Sequence, residues 1–167
     1  MPGYQCASCG THHDELPLCF ISPEPALVVE LTAAERKQRV QMSSDQCVLD
    51  EEHFFVLGNL DIPIVGHAQF LRFTVWSSLS QKSFLRACEL WNTPGREQGE
   101  PAYFGWLCSV LPSYSDTQHL KLDVLTSPVG VRPCLKLHDE DHDLCRDQAQ
   151  GISWERAVQI SNAAMGR

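Results

Sequence analysis

Between residues 46 and 137 the apolar positions come in short runs or alternate with polar ones, whereas towards the C-terminus they recur at helical spacing. Cys47-Val48-Leu49 and His53-Phe54-Phe55-Val56-Leu57 predict two strands parted by the acidic turn Asp50-Glu51-Glu52. Asn59 to Ile64 extends the second strand, and Pro63, which cannot donate to a ladder, places its end there or at a sheet edge. Phe70 to Trp76 is rich in aromatic and β-branched residues and predicts another strand. Ala102 to Cys108 predicts a further one, in which Gly105 marks a bulge or a close approach of two backbones. Leu120-Lys121-Leu122-Asp123-Val124 alternates cleanly, and Ser127-Pro128-Val129-Gly130 turns it towards Cys134-Leu135-Lys136-Leu137.

Helix signals flank these runs. Ser22-Pro23-Glu24-Pro25 breaks regular structure, and Thr32-Ala33-Ala34-Glu35 then has capping-box spacing, opening a short helix through about Val40. Ser80 caps a helix that places Phe84, Cys88 and Trp91 on one face. Thr93-Pro94-Gly95 ends it, and the polar loop through Glu100 is expected to be a flexible excursion. Leu144 to Gln150 forms a helix stopped by Gly151, and Ser153 caps a last one running to about Ala164. Strands in the middle and helices at the ends predict an α+β fold over 1–167, a single domain built on an antiparallel sheet meander. Within it, 1–20 is a Cys/His knuckle segment, 45–137 is mainly strands with one helix, and 142–165 holds the C-terminal helices.

Composition changes this picture in two ways. Thirteen basic against twenty-one acidic side chains give a net charge of −8, which disfavours non-specific binding to nucleic acid or to an anionic membrane. The aromatic stretch Tyr103-Phe104-Gly105-Trp106 is accordingly read as core rather than as a stacking platform for bases. Eight cysteines in 167 residues are the other unusual feature. The first residues lack the basic start and apolar core of a signal peptide, and no run is long enough to span a bilayer. The expectation is therefore a cytoplasmic location, where cysteines are thiols or metal ligands rather than a disulfide frame. Cys88, Cys108 and Cys134 sit in apolar surroundings and read as small buried hydrophobes.

Cys6-Ala7-Ser8-Cys9-Gly10 has the form of a metal knuckle. Two intervening residues let both sulfurs face one ion, and glycine after the second cysteine tolerates the positive φ of the turn. A redox C-x-x-C normally follows a strand and opens a helix, a context that five preceding residues do not supply. Tetrahedral zinc needs four ligands, so partners are sought at His12 or His13 and at a distant residue. Cys47, at a loop-to-strand junction, is the distant candidate, a buried strand cysteine being the alternative reading. His138 and His142 stand four apart, but the acidic run around them reads as complementing the N-terminus of the helix that follows.

A series of motifs runs along nearly the whole chain: Cys6-x-x-Cys9-Gly10-x-x-His13-x-x-Leu16-Pro17, Asp45-x-Cys47-Val48, Phe54-Phe55-Val56, Ile62-Pro63-Ile64 and Val75-Trp76-x-Ser78-Leu79-Ser80. Tyr103-Phe104-Gly105-Trp106-Leu107, Leu111-Pro112-x-Tyr114, Arg132-Pro133 and His142-x-Leu144 continue the series. Together they resemble the bacterial domain-of-unknown-function 2199 family. The resemblance implies that His13, rather than His12, is the knuckle histidine, and it implies no reaction. Two positions depart from the family pattern: Leu57, where a basic residue is expected, and Asp143, where proline is.

No nucleophile elbow, P-loop or dinucleotide fingerprint occurs. The expectation is thus a small cytoplasmic zinc-binding domain with a structural ion held by Cys6, Cys9, His13 and Cys47. Its acidic surface suits a basic protein partner, an immunity-type binder being one form by analogy. The alternative is a zinc hydrolase with an open metal position, where Asp14, Glu15 or Asp45 would serve as general base.

Overall fold

The computed structural model describes residues 2–166, so Met1 and Arg167 of the expected single domain lie outside the described residues. In chain order the elements begin with β1 (Tyr4–Gln5), β2 (His12–His13), β3 (Cys19–Ile21), α1 (Ala26–Val29) and α2 (Ala33–Arg39). Next come β4 (Val40–Met42), β5 (Gln46–Leu49), β6 (His53–Pro63), β7 (Phe70–Leu79) and α3 (Gln81–Glu89). The chain closes with β8 (Tyr103–Trp106), β9 (Lys121–Leu125), β10 (Cys134–Leu137), α4 (Asp143–Gln150) and α5 (Trp154–Met165). The α+β class follows.

Helix starts lie where side chains satisfy orphan amides. Thr32 accepts from the Glu35 amide while the Glu35 carboxylate accepts from the Thr32 amide, a complete capping box. Ser80 and Ser153 cap α3 and α5 through the hydroxyl alone, accepting from the Ser83 and Arg156 amides. The cap of α4 is the His142 side chain, which accepts from the Leu144 amide, while Asp143 sits in the first turn. The acidic run was expected to serve this helix end, and histidine does the capping.

The sheet is mixed rather than a pure antiparallel meander. Its order is β3-β7-β6-β10-β9-β8, with β5 also paired to β6 and β4 paired in turn to β5. Most pairs are antiparallel, but β3 runs parallel to β7 and β10 parallel to β6. Because β10 returns beside β6 only after β8 and β9 are laid down, the twisted sheet curls and its far strand meets β7. The seam is visible in a bridge between Ser77 and Leu107 and in two hydrogen bonds. The Trp106 amide donates to Ser78 Oγ at 3.1 Å, and the Cys108 amide to the Trp76 carbonyl at 2.8 Å. Strands β7, β6, β10, β9 and β8 therefore enclose the main core as a small barrel.

Both faces of the β6–β7 hairpin are buried, which accounts for the unbroken apolar run Phe54 to Leu57. Phe54, Val56, Phe73 and Val75 face the barrel interior and the core shared with α4 and α5. Phe55, Leu57 and Trp76 face outward into a second cluster with Val28, Cys47 and Cys108.

Strand parity corrects several expectations. In β8 only Tyr103 and Gly105 point inward, so Phe104 and Trp106 stand exposed and edge to face, 5.3 Å between centroids. Cys134 lies out of phase with buried Leu135 and Leu137 and is exposed, whereas Cys108 is buried as expected. Cys88 is half-buried and accepts a hydrogen bond from Gln46 Nε2 at 3.3 Å. The polar loop after α3 is pinned: the Arg96 guanidinium donates to the carbonyls of Trp91, Ser127, Pro128 and Val131.

Candidate metal centre

Residues 4–13 fold into a hairpin whose short strands pair Tyr4 with His13 and Gln5 with His12. The Gly10 amide donates to the Cys6 carbonyl at 2.9 Å and the Cys6 amide to the Thr11 carbonyl at 3.0 Å, closing the C-x-x-C turn. Gly10 adopts φ +69° with open space around it, so this glycine is required by backbone conformation rather than by crowding.

Adjacent strand residues point to opposite sides, and this separates the two histidines. His13 joins Cys6 and Cys9, the three ligand atoms all lying within 4.8 Å of one another. Cys9 Sγ and His13 Nε2 are 3.1 Å apart. His12 instead covers Gly3, where a Cβ would collide with its ring. Zinc bonds of about 2.3 Å to sulfur and about 2.0 Å to nitrogen, at tetrahedral angles, separate ligand atoms by about 3.5–3.8 Å. The cluster has the donor types and size for such an ion.

Tyr4 stacks on the His13 ring at 5.6 Å and fixes its plane. The Thr11 amide and hydroxyl, together with the Cys6 side chain, pull the Cys9 thiol below its ordinary range, favouring the thiolate that binds metal. Burial, and then the charge of Cys6, push the Tyr4 phenol upward, so it stays neutral beside the cluster.

The hairpin is docked on the rest of the domain. Tyr4, Cys6 and Leu16 are buried in the main core. Asn162 of α5 accepts from the Ala7 amide at 3.0 Å and donates to the Gln5 carbonyl at 3.2 Å, while Ser161 donates to the Pro17 carbonyl. Asn162 and Ser161 are residues that sequence reading missed. They lie on a helix more than 140 positions away, with no local signal tying them to the knuckle.

Cys47 is not brought to this group. It is fully buried in the second cluster, against Phe55, Leu57 and Trp76, and burial pushes its thiol up to about 11. Its parity matches that of buried Leu49 two residues on, and that alternation turns it inward rather than out towards the knuckle. Nor do His138 and His142 form a helical pair. His138 Nε2 lies 2.8 Å from Asp123 Oδ1, and His142 caps α4. Of the carboxylates proposed as general bases, Asp14 and Glu15 are exposed beside the hairpin, whereas Asp45 is engaged by Arg132 elsewhere.

These placements predict a graded thiol reactivity at about pH 8, read by mass spectrometry after alkylation. Exposed Cys9, Cys19 and Cys134 should label first, with Cys9 protected once zinc is added. Burial holds Cys47 and Cys108 neutral up to about 11, so both should label only on unfolding. An unfolded chain ionises these thiols from about pH 9 upward, so their contribution to stability is complete below that pH. It is lost as pH climbs towards 11, and Cys47→Ala should flatten the decline. Rapid labelling of Cys47 in the folded protein would contradict its placement.

The chain belongs to the family described as an uncharacterized protein conserved in bacteria (DUF2199), whose model matches residues 5–152 and so includes Cys6, Cys9 and His13. No curated protein and no solved structure matches the chain. Among the described residues, no helix is long and apolar enough to cross a membrane.

Proposed function

We propose that this member of the DUF2199 family is a zinc-dependent protein-interaction domain, its ion held by Cys6, Cys9 and His13. The observation that carries the reading is the convergence of two sulfurs and one imidazole nitrogen on a hairpin docked to α5. With both thiols ionised, two negative charges offset the ion, as a structural centre requires. The ion would then tie the ends of a short hairpin that, with two residues per strand, is marginal alone.

Exposed Asp14 and Glu15 follow His13 directly and extend the acidic character of the chain to the hairpin. A basic protein surface is the complementary partner, and an immunity-type binder is one such arrangement. The fourth ligand would come from solvent or from the partner, since among the described residues three chain ligands share the cluster. The same count favours a second reading, a zinc hydrolase with solvent in the open position.

Metal analysis with X-ray absorption tests the centre directly. The expected result is one zinc per chain with two sulfur and one or two lighter neighbours, reduced to below about a tenth of an equivalent in Cys9→Ser. Purified protein that neither carries nor takes up zinc would overturn the proposal. Zinc-dependent cleavage of an activated ester, faster than with free zinc and absent in Cys9→Ser, would move the assignment to the hydrolase.

A further inference from the structure

A pocket of about 230 Å³ opens between α3 and the loop that joins β9 to β10, and none of its lining residues belongs to the Cys6–Cys9–His13 group. A single water needs only about 10–15 Å³, so this is space for an organic molecule. Val56, Leu79 and Val124 of the barrel wall form its apolar floor, and exposed Trp91 and Val131 stand at its mouth.

The charged residues that line it are Asp45, Arg96 and Arg132, a local balance of +1 in a chain of net −8. Arg96 has no carboxylate partner among the described residues; its guanidinium is spent on four backbone carbonyls that hold the rim in place. Arg132 is anchored at one point, Nε donating to Asp45 Oδ1 at 2.6 Å, and Asp45 Oδ2 accepts from Ser44. Among the described residues nothing accepts from Arg132 Nη1 or Nη2. A guanidinium held by its Nε, with both terminal nitrogens unclaimed, presents the fork that a carboxylate fits.

We propose that this pocket binds a small apolar monocarboxylate, its hydrocarbon on the barrel floor and its carboxylate on Arg132 Nη1 and Nη2. One negative charge matches the +1 of the lining. A phosphate dianion would leave surplus charge beside Asp45 and would lack further donors, since those of Arg96 face the rim carbonyls. The apolar floor excludes a ligand that is polar throughout.

Titration of the protein as purified with octanoate, 1-octanol and octylamine, followed by Trp91 fluorescence and amide NMR shifts, tests the assignment. Octanoate should saturate, at least roughly tenfold tighter than 1-octanol, and octylamine should bind worst. Arg132→Gln should bring octanoate down to the affinity of 1-octanol. Ala87→Phe, which fills the lumen from α3 and leaves both residues of the Asp45–Arg132 hydrogen bond in the chain, should abolish both. The proposal is overturned if octanoate does not saturate, or binds no better than 1-octanol. Octanoate binding that survives Arg132→Gln unchanged also overturns it. Should Arg132→Gln fail to fold, Ala87→Phe decides, and retained octanoate affinity in that variant rejects the site.

Discussion

Cys6→Ser should lose the metal and about 3–5 kcal/mol of stability together, the scale set by an ion whose dissociation constant lies about a thousandfold below its free concentration. The serine would leave a poor zinc ligand in place of a thiolate whose side chain is buried against Tyr4 and Leu16. Cys9→Ser should lose the metal equally, yet its direct cost should be smaller because Cys9 is exposed. Chelator-stripped proteins make the distinction. Without zinc, Cys9→Ser should match the parent, whereas Cys6→Ser should remain about 1 kcal/mol less stable because its hydroxyl is buried. Urea unfolding measures both differences, and hydrogen exchange locates them. In zinc-free protein the amides of Cys6, Ala7 and Gly10 should exchange first, since their acceptors lie in the turn and on Asn162. Metal loss with an unchanged unfolding midpoint would show that the ion does not brace the fold, and would favour the hydrolase reading.

The local parts of this architecture are legible in the residues themselves. Thr32, Ser80 and Ser153 mark helix starts because one side-chain oxygen answers one nearby amide, a relation spanning only three residues. Cys6, Cys9 and His13 are legible for the same reason, since one hairpin holds them all. Contacts between distant segments leave no such trace. The parallel pairing of β10 with β6 and the closure of β8 on β7 depend on how a twisted sheet curls, which no window of sequence contains. Asn162 and the Asp45–Arg132 pair belong to this class, joined across 155 and 87 positions.

Cys47, Phe104, Trp106 and Cys134 depart from expectation for a different reason: each strand alternates, and parity with its neighbours, rather than residue type or a place at a loop junction, sets the side each takes. Cys47 shares parity with Leu49 and is buried, while Phe104 and Trp106 oppose Tyr103 and are exposed. A period of two constrains a side chain more than its type does.

Gly105→Ala should destabilise the domain by about 3 kcal/mol, the upper range for forcing volume into a closed site. Nothing in its backbone conformation demands glycine. The demand is for space at the barrel seam, where a Cβ would collide with Ser77 Oγ and with the Ser78 carbonyl oxygen. A side chain could rotate away; the Ser78 carbonyl cannot move without carrying β7 with it. Ser78 also accepts from the Trp106 amide, so displacing this strand breaks the contact by which β8 closes on β7. The double variant Ser77→Ala/Gly105→Ala separates the two obstacles. Removing the hydroxyl should restore less than half of the loss, because the carbonyl remains. Gly99→Ala is the control, for nothing lies within 4 Å of its Cβ position, and it should leave stability within about 0.5 kcal/mol of the parent. Urea midpoints at constant slope give all three values. A Gly105→Ala variant as stable as Gly99→Ala, or one fully rescued by Ser77→Ala, would show that the seam is not closed by backbone contact.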